Sequence, residues 1–474
     1  MSGNTLLFLS VFTPTIGAFF LPFAGGISTK VRNALALLFV LTSFVCSALL
    51  LPSALSHQPS LFSINLPMGF TMGLLGDGLA VFMALVSSSV GVVIVLYSFG
   101  YISHYKNQDE YYLMVVLFLG AMMGLVYSTN IIMIYLFWEI AAICCWRLIG
   151  FFREKYQVLR ADKAFLITVF GALMMLIGFI MIYNQYQTFD LMELKGKTID
   201  SVAVLFILFG IFSKSATLPL HTWLPDAGVA PSPVTSLLHA AVLVKIGVYA
   251  YARLFLVNFN LDAQWHVIVP IIAAISALVS AGAALLETDL KRIIAYSTIS
   301  QIGFIFLGLA TNSKIAIMGG LLYILMHGLA KGGLFLCAGI IEQKTHTKDI
   351  TKLGGLITTM PITAITFLMC AFSVMGIPPF GGFFSKYMVL GGAVDAGHPW
   401  IALTFMIGAI MTILYLFRAF SMVFLGAVKT PAANEGSVTM LASVIILSVL
   451  SLAGGFLVQY PANFVNIIIQ QIGR

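Results

Sequence analysis

The chain has 474 residues, of which 60% are hydrophobic and 9% charged, and its formal net charge is +7. A soluble domain typically carries about 25% charged residues, so this composition excludes an ordinary water-facing surface and makes lipid the solvent. The basic excess does not point to nucleic acid, because the lysines and arginines are scattered among loops that membrane topology alone would place on the cytoplasmic side.

Apolar runs of about 18 residues or more recur from Leu6 to Tyr460, each long enough for a helix to cross a ~30 Å hydrocarbon core. A membrane β-barrel would instead alternate polar and apolar residues. Fourteen spans are predicted, near residues 4–24, 33–52, 79–102, 111–128, 129–151, 161–184, 202–227, 233–256, 265–287, 290–310, 314–342, 359–394, 399–426 and 438–460. The first lacks the basic flank and small-residue cleavage site of a signal peptide and reads as a retained helix. No room is left for a sizeable soluble domain, so residues 1–474 read as a single membrane domain. The fold class is therefore an all-α polytopic membrane protein.

Cys46, Cys144, Cys145, Cys337 and Cys370 fall inside predicted spans without ligand-type spacing. This argues against iron–sulfur clusters, zinc or a disulfide framework, and there is no glycine-rich nucleotide loop. No catalytic, cofactor-binding or metal residues are assigned. The chain is expected to hold no cofactor and to have no catalytic chemistry of its own.

With the amino terminus outside, fifteen basic residues, among them Lys30, Arg153, Lys291 and Lys344, lie on the cytoplasmic side. Five, Lys195, Lys197, Arg253, Lys314 and Arg474, lie outside. The positive-inside rule then places both termini outside, in what is expected to be a prokaryotic inner membrane. Four basic residues remain, Lys214, Lys245, Lys331 and Lys386, and all are lysines within spans. Arginine keeps its proton at any accessible pH, whereas a desolvated lysine is able to release it, so the choice fits groups that gain and lose protons. Among the acids, only Glu139 falls midway along a span, and an ionised group there costs ~2.5–3.5 kcal/mol on insertion scales unless it is paired, hydrated or neutral.

The seventh span contains Lys214 followed by Pro219 and Pro225, and each proline removes a helical hydrogen bond, so the helix should break just after Lys214. In the twelfth, Pro378 and Pro379 place the break before Lys386. Phe-Ser-Lys thus occurs at 212–214 and 384–386 beside a broken helix in each half. Discontinuous helices at matching positions point to an inverted-repeat transporter and its ion site. His239 and Lys245 in the eighth span, and His327 and Lys331 one turn apart in the eleventh, offer a row of proton-exchanging groups. The alternatives are structural: Lys214 pairing with Glu139 to fix packing, and His239 and His327 as hydrogen-bonded core residues. His221 is, like His239, an additional candidate for the path, although its place at a broken helix end near the surface favours a structural role; Arg147 and Arg253 read as snorkelling residues. Four lysines facing one mid-span carboxylate leave three cations without an acid partner, which favours function over packing.

The stretch Lys214-Ser-Ala-Thr-Leu-Pro-Leu-His-Thr-Trp-Leu-Pro-Asp226, continuing through Ala230-Pro-Ser-Pro233 to Val244-Lys-Ile-Gly-Val-Tyr249, resembles the antiporter-like proton-translocating subunits shared by respiratory complex I, Mrp-type cation/proton antiporters and membrane-bound hydrogenases. Supporting stretches are Trp138-Glu139, Asp289 through Gln301, and His327-Gly-Leu-Ala-Lys331. The resemblance implies about fourteen helices, with helices 1–3 in residues 1–110, inverted five-helix repeats in 111–256 and 265–426, and a last helix in 438–474. It also implies that Glu139 and Lys214 form a modulating pair, that Lys245 is the central proton carrier, that His327 and Lys331 extend the path, and that Lys386 leads to the outer exit. At ~4 Å such a pair is worth about 4 kcal/mol at an effective dielectric near 20.

The function expected is proton translocation within a multisubunit redox-driven pump, alongside antiporter-like paralogues, with a redox module supplying the energy. A sodium/proton antiporter subunit is the alternative, although hard cations want several oxygen ligands and the spans hold one carboxylate. A rival from another class is a non-conducting membrane scaffold.

Overall fold

The computed structural model describes residues 1–65, 71–429 and 435–473. Arg474, expected on the outer side at the end of the last segment, lies outside the described residues. Among them, twelve helices are long and apolar enough to cross a membrane, from Gly3–Ile27 to Val438–Phe456, and two shorter apolar helices are Ser201–Lys214 and Pro361–Met375.

The helix Lys155–Tyr186 shows how such a sequence meets lipid. Leu166, Phe170, Leu173, Ile177 and Ile180 project outward at three- and four-residue spacing, while Ala164, Thr168, Gly171, Met175 and Phe179 are buried on the opposite face. The three helices Ser232–Asn258, Leu290–Ala310 and Lys314–Thr345 are almost wholly buried and form the centre of the bundle. They carry many of its buried polar groups, including Lys245, Gln301, His327 and Lys331.

Two glycines let the central helices approach their neighbours. A Cβ on Gly247 would lie 2.6 Å from the Ile211 carbonyl, and one on Gly319 would lie 2.7 Å from the Val389 nitrogen and 2.8 Å from the Ser385 carbonyl. The first contact seats the Lys245 helix on the Lys214 helix, and the second seats the Lys331 helix on the Lys386 helix. Gly247→Val is expected to lower stability by ~1–3 kcal/mol through overpacking. Thermal unfolding of the purified protein in detergent checks this, and an unchanged midpoint would contradict it.

Helix Ser201–Lys214 ends at Lys214, and the chain turns before resuming at Trp223–Asp226. Helix Pro361–Met375 ends on Gly376, at φ +80°, and resumes at Gly381–Asp395. The Leu218–Pro219 and Pro378–Pro379 peptides are cis. Carbonyls near the breaks find side-chain donors: Trp223 Nε1 donates to Ser213 O at 2.9 Å and Lys386 Nζ to Val374 O at 2.7 Å.

The order of elements recurs in the second half. Asn130 bridges Asp190 as Asp289 bridges Asp349, and the 32-residue helix Lys155–Tyr186 has its counterpart in Lys314–Thr345. A broken helix follows in each case. As the prolines predict, Lys214 closes the helix before its break and Lys386 lies inside the helix after its break; what recurs between the halves is the break and not the place of the tripeptide.

Three features were not expected. An antiparallel hairpin pairs Ser60–Asn65 with Thr71–Gly76. A further helix, Gln459–Ile472, follows Val438–Phe456 and buries Val465, Ile468 and Ile469; Asn463, Asn466 and Gln470 interrupt the hydropathy signal there. The Ser232–Asn258 helix is also irregular, widening to π-helix at Leu237–Ala241 and again at Ala252–Asn258. The Val242 N–H donates back to Leu237 O at 2.9 Å across the first of these turns.

Candidate functional site

Lys214, Lys245, Lys331, His239 and His327 are each fully buried, and Lys386 is 4% exposed. Lys245 Nζ and His327 Nδ1 lie 2.8 Å apart, in direct hydrogen-bond contact across two helices. One turn further along its helix, Lys331 Nζ donates to Ile294 O at 3.2 Å and to Ser297 Oγ at 2.5 Å. Tyr323, His327 and Lys331 are spaced four apart and form one stripe on the Lys314–Thr345 helix.

Between Lys331 and Lys386 lies a set of hydroxyls and an amide that the sequence reading did not assign. Tyr415 OH donates to Ser297 Oγ at 2.8 Å, Gln301 Nε2 reaches Tyr415 OH at 3.4 Å and Thr412 Oγ1 at 3.2 Å, and Tyr323 OH donates to Gln301 Oε1 at 2.7 Å. Lys386 Nζ lies over the Tyr323 ring at 5.7 Å and over Phe304 at 4.6 Å. Ser297 and Gln301, four apart in an apolar span, were the available signal. Tyr415 and Thr412 gave none, because their role depends on the packing of a helix distant in sequence. Gln301→Leu takes the acceptor from the buried Tyr323 hydroxyl, a cost of ~1–3 kcal/mol, and is expected to slow ion flux roughly tenfold. Flux per assembled complex is the measurement, and a wild-type rate would exclude this connection.

The expected Glu139–Lys214 pair is not closed. Lys214 Nζ donates instead to the Trp138 carbonyl at 3.3 Å and sits 5.3 Å over the Trp138 ring. Glu139 Oε1 is buried without a hydrogen-bond partner. Successive residues are rotated by about 100° around a helix, so an ammonium drawn to residue 138 need not meet residue 139.

Among the described residues both ring nitrogens of His239 lack hydrogen-bond partners; its ring packs on Phe335, centroids 4.3 Å apart. His221 lies in the connection after Lys214, half-buried, with Nδ1 3.4 Å from Pro219 O; among the described residues it has no hydrogen bond to the lysine chain.

Arg253 does not snorkel. It is buried, its guanidinium grips Asp77 through two bonds of 2.5 and 2.7 Å, and its Nε donates to Tyr249 OH at 2.8 Å. Burial pushes the Asp77 carboxyl up, but Arg253 and the Ala80 backbone N–H outweigh this and hold it below the usual carboxylate range. The pair lines a cavity of about 270 Å³ with Lys195, Asn258 and Gln471. Arg147 is partly exposed and pairs with Glu110. At the opposite end of the bundle, Asp226 gathers Arg160, Lys163 and Arg292.

The family described as NADH:quinone oxidoreductase/Mrp antiporter, TM, matches residues 128–412, and that described as the complex I chain 5 N-terminus matches residues 63–112. Over 95% of its length the chain is 33% identical to a Na(+)/H(+) antiporter subunit A1 of Staphylococcus haemolyticus (strain JCSC1435), and over 98% it is 32% identical to that of Staphylococcus aureus. It spans 61% and 62% of those proteins' lengths. The Mrp complex from Dietzia sp. DQ12-45-1b contains a chain of the same fold, with a TM-score of 0.90 at 22% identity and full coverage of both chains. An archaeal membrane-bound sulfane sulfur reductase contains another, with a TM-score of 0.88 at 22% identity, covering 99% of this chain and 98% of that one.

Proposed function

Because the chain belongs to the NADH:quinone oxidoreductase/Mrp antiporter family of membrane subunits, we propose that it conducts protons across the bilayer as one subunit of a multisubunit complex. The observation that supports this most is the Lys245–His327 contact of 2.8 Å, buried from solvent and continued by Lys331, Ser297, Tyr415, Gln301 and Tyr323 toward Lys386. Lysine and histidine exchange protons, while hydroxyls and amides orient and relay them.

The recurring broken helices are read as two five-helix repeats, 111–256 and 265–426, with an ion site at each break. The membrane is proposed to be a prokaryotic inner membrane, with both termini outside. Protons enter from the cytoplasmic face, pass Lys245, His327 and Lys331, and leave past Lys386. Partner subunits, including antiporter-like paralogues, supply the driving force through a redox module, and no cofactor is assigned to this chain. Glu139 and Lys214 are proposed to tune the path through space rather than as a contact pair.

A second reading, cation/proton exchange within an Mrp-type assembly, is favoured by the 32–33% identity to sodium/proton antiporter subunits. The two readings part on sodium. Proton movement by the assembled complex in proteoliposomes is expected to proceed without sodium; an absolute sodium requirement would replace the first reading with the second.

A further inference from the structure

The path from Lys245 to Lys386 needs a source of protons, and a second polar column reaches it from the end of the bundle proposed to be cytoplasmic. There a cavity of about 530 Å³ is lined by Tyr101, His104, Tyr105, Lys291, Glu342 and His346. At its floor Lys291 Nζ and Glu342 Oε2 form an ion pair of 2.5 Å, and Lys291 also donates to Ala230 O at 3.2 Å. Lys291 is 2% exposed and Glu342 30% exposed, so the acid faces the cavity and the base is sealed beneath it.

Behind the pair the column continues inward. Ser232 Oγ lies 3.4 Å from Glu342 Oε2 and 3.5 Å from Tyr101 OH. Ser236 Oγ, one turn deeper on the same helix, donates to Gly332 O at 3.3 Å. His239 follows on the same face, with both ring nitrogens buried and unpartnered. Lys331 and Lys245 are the charges that act on it. A Cβ on Gly339 would meet Tyr97 OH at 2.7 Å and Ser232 Oγ at 2.8 Å, so only glycine lets the two helices approach closely enough to line this seam.

The other end of the Ser232–Asn258 helix is built differently. There the charge is Arg253, which cannot release a proton and is fixed on Asp77. One end thus pairs its carboxylate with a lysine, which is able to release its proton, and the other with an arginine, which keeps it.

We propose that Glu342 is the proton-accepting port of this subunit and that its ion pair with Lys291 is the gate. This rests on the proton-conduction reading above. A proton from cavity water binds the Glu342 carboxylate, the ion pair opens, and Lys291 keeps the Ala230 carbonyl. The proton then passes along the Ser232 and Ser236 hydroxyls, with water filling the remaining gaps, to a ring nitrogen of His239, which hands it to the lysine chain. Glu342 returns to its carboxylate and re-forms the pair. The other titratable groups around Glu342 are Lys291, His104, Tyr97, Tyr101, Tyr105, Lys344 and His346.

The test measures proton uptake by the assembled complex in sealed vesicles while the pH of the cytoplasmic face is varied, for wild type, Glu342→Gln, Glu342→Asp and Lys245→Ala. Glu342→Gln is expected to lower uptake per assembled complex at least tenfold and to flatten its dependence on cytoplasmic pH, with Glu342→Asp restoring most of both. Wild-type uptake and pH profile in Glu342→Gln, beside a silent Lys245→Ala, would overturn the port and leave the relay standing. Wild-type uptake in both would overturn the conduction reading as well. A lowered yield of complex with unchanged uptake per complex would make the pair a structural staple and overturn the proposal. Should Glu342→Gln not assemble, Ser232→Ala decides. It removes the hydroxyl that lies between Glu342 and the Ser236 turn and should lower uptake per assembled complex at least tenfold; wild-type uptake beside a silent Lys245→Ala would sink the port.

Discussion

Replacing Lys245 by alanine is expected to lower proton flux through the assembled complex by at least about a hundredfold, the usual scale for losing a proton-transfer group. Lys245 is the only side chain bonded to His327 Nδ1 among the described contacts, at 2.8 Å, and the far nitrogen of that ring has no partner. Removing the ammonium therefore isolates the imidazole from the Ser232–Asn258 helix. The substitution deletes a charge with no carboxylate partner, so the fold should not suffer. Assembly is expected to be normal, and an unchanged flux with normal assembly would move the protein to the scaffold reading.

Asp77→Ala is expected to have the largest effect on stability. It leaves the Arg253 guanidinium buried and unpaired at the end of the Ser232–Asn258 helix, a loss of ~3–5 kcal/mol by comparison with other broken buried pairs. It also removes the side-chain cap on the Ala80 N–H. Arg253 would retain only Tyr249 OH. The same pair predicts an acid sensitivity. The folded carboxyl titrates below its usual range, so the stabilisation is fully present above the ordinary aspartate pKa of about 4 and is lost as pH falls through the lower, folded value. Thermal unfolding of the purified complex from neutral pH downward should show wild type losing stability toward Asp77→Ala, whose own curve lacks this component. Parallel curves would contradict the assignment.

The span pattern, the two broken helices and the buried lysines were legible in the sequence because each is a local signal. Hydropathy over twenty residues marks a span, proline marks a break, and a lysine inside an apolar run stands out by its cost. Pairings were not legible where they depend on rotation and packing. Glu139 and Lys214 are near in the fold, but the orientation of one helix gives Lys214 the carbonyl of Trp138 instead. Arg253 was read as snorkelling because a span end is where arginine usually does so, and its partner Asp77 lies on a helix remote in sequence. The hydroxyls of Tyr415 and Ser297 meet only because Pro399–Phe424 packs beside Leu290–Ala310. The π-helical turn that carries His239 has no composition signal of its own. Gln459–Ile472 was missed because one polar face diluted an apolar one.

The proposed path requires Lys245 to act by exchanging a proton and not by its charge. Lys245→Arg keeps the charge and much of the volume but cannot deprotonate. Proton flux of the assembled complex in sodium-free proteoliposomes is expected to fall in Lys245→Arg to the level of Lys245→Ala. Flux at the wild-type rate in Lys245→Arg would show that a fixed positive charge suffices, and the relay through this lysine would be wrong.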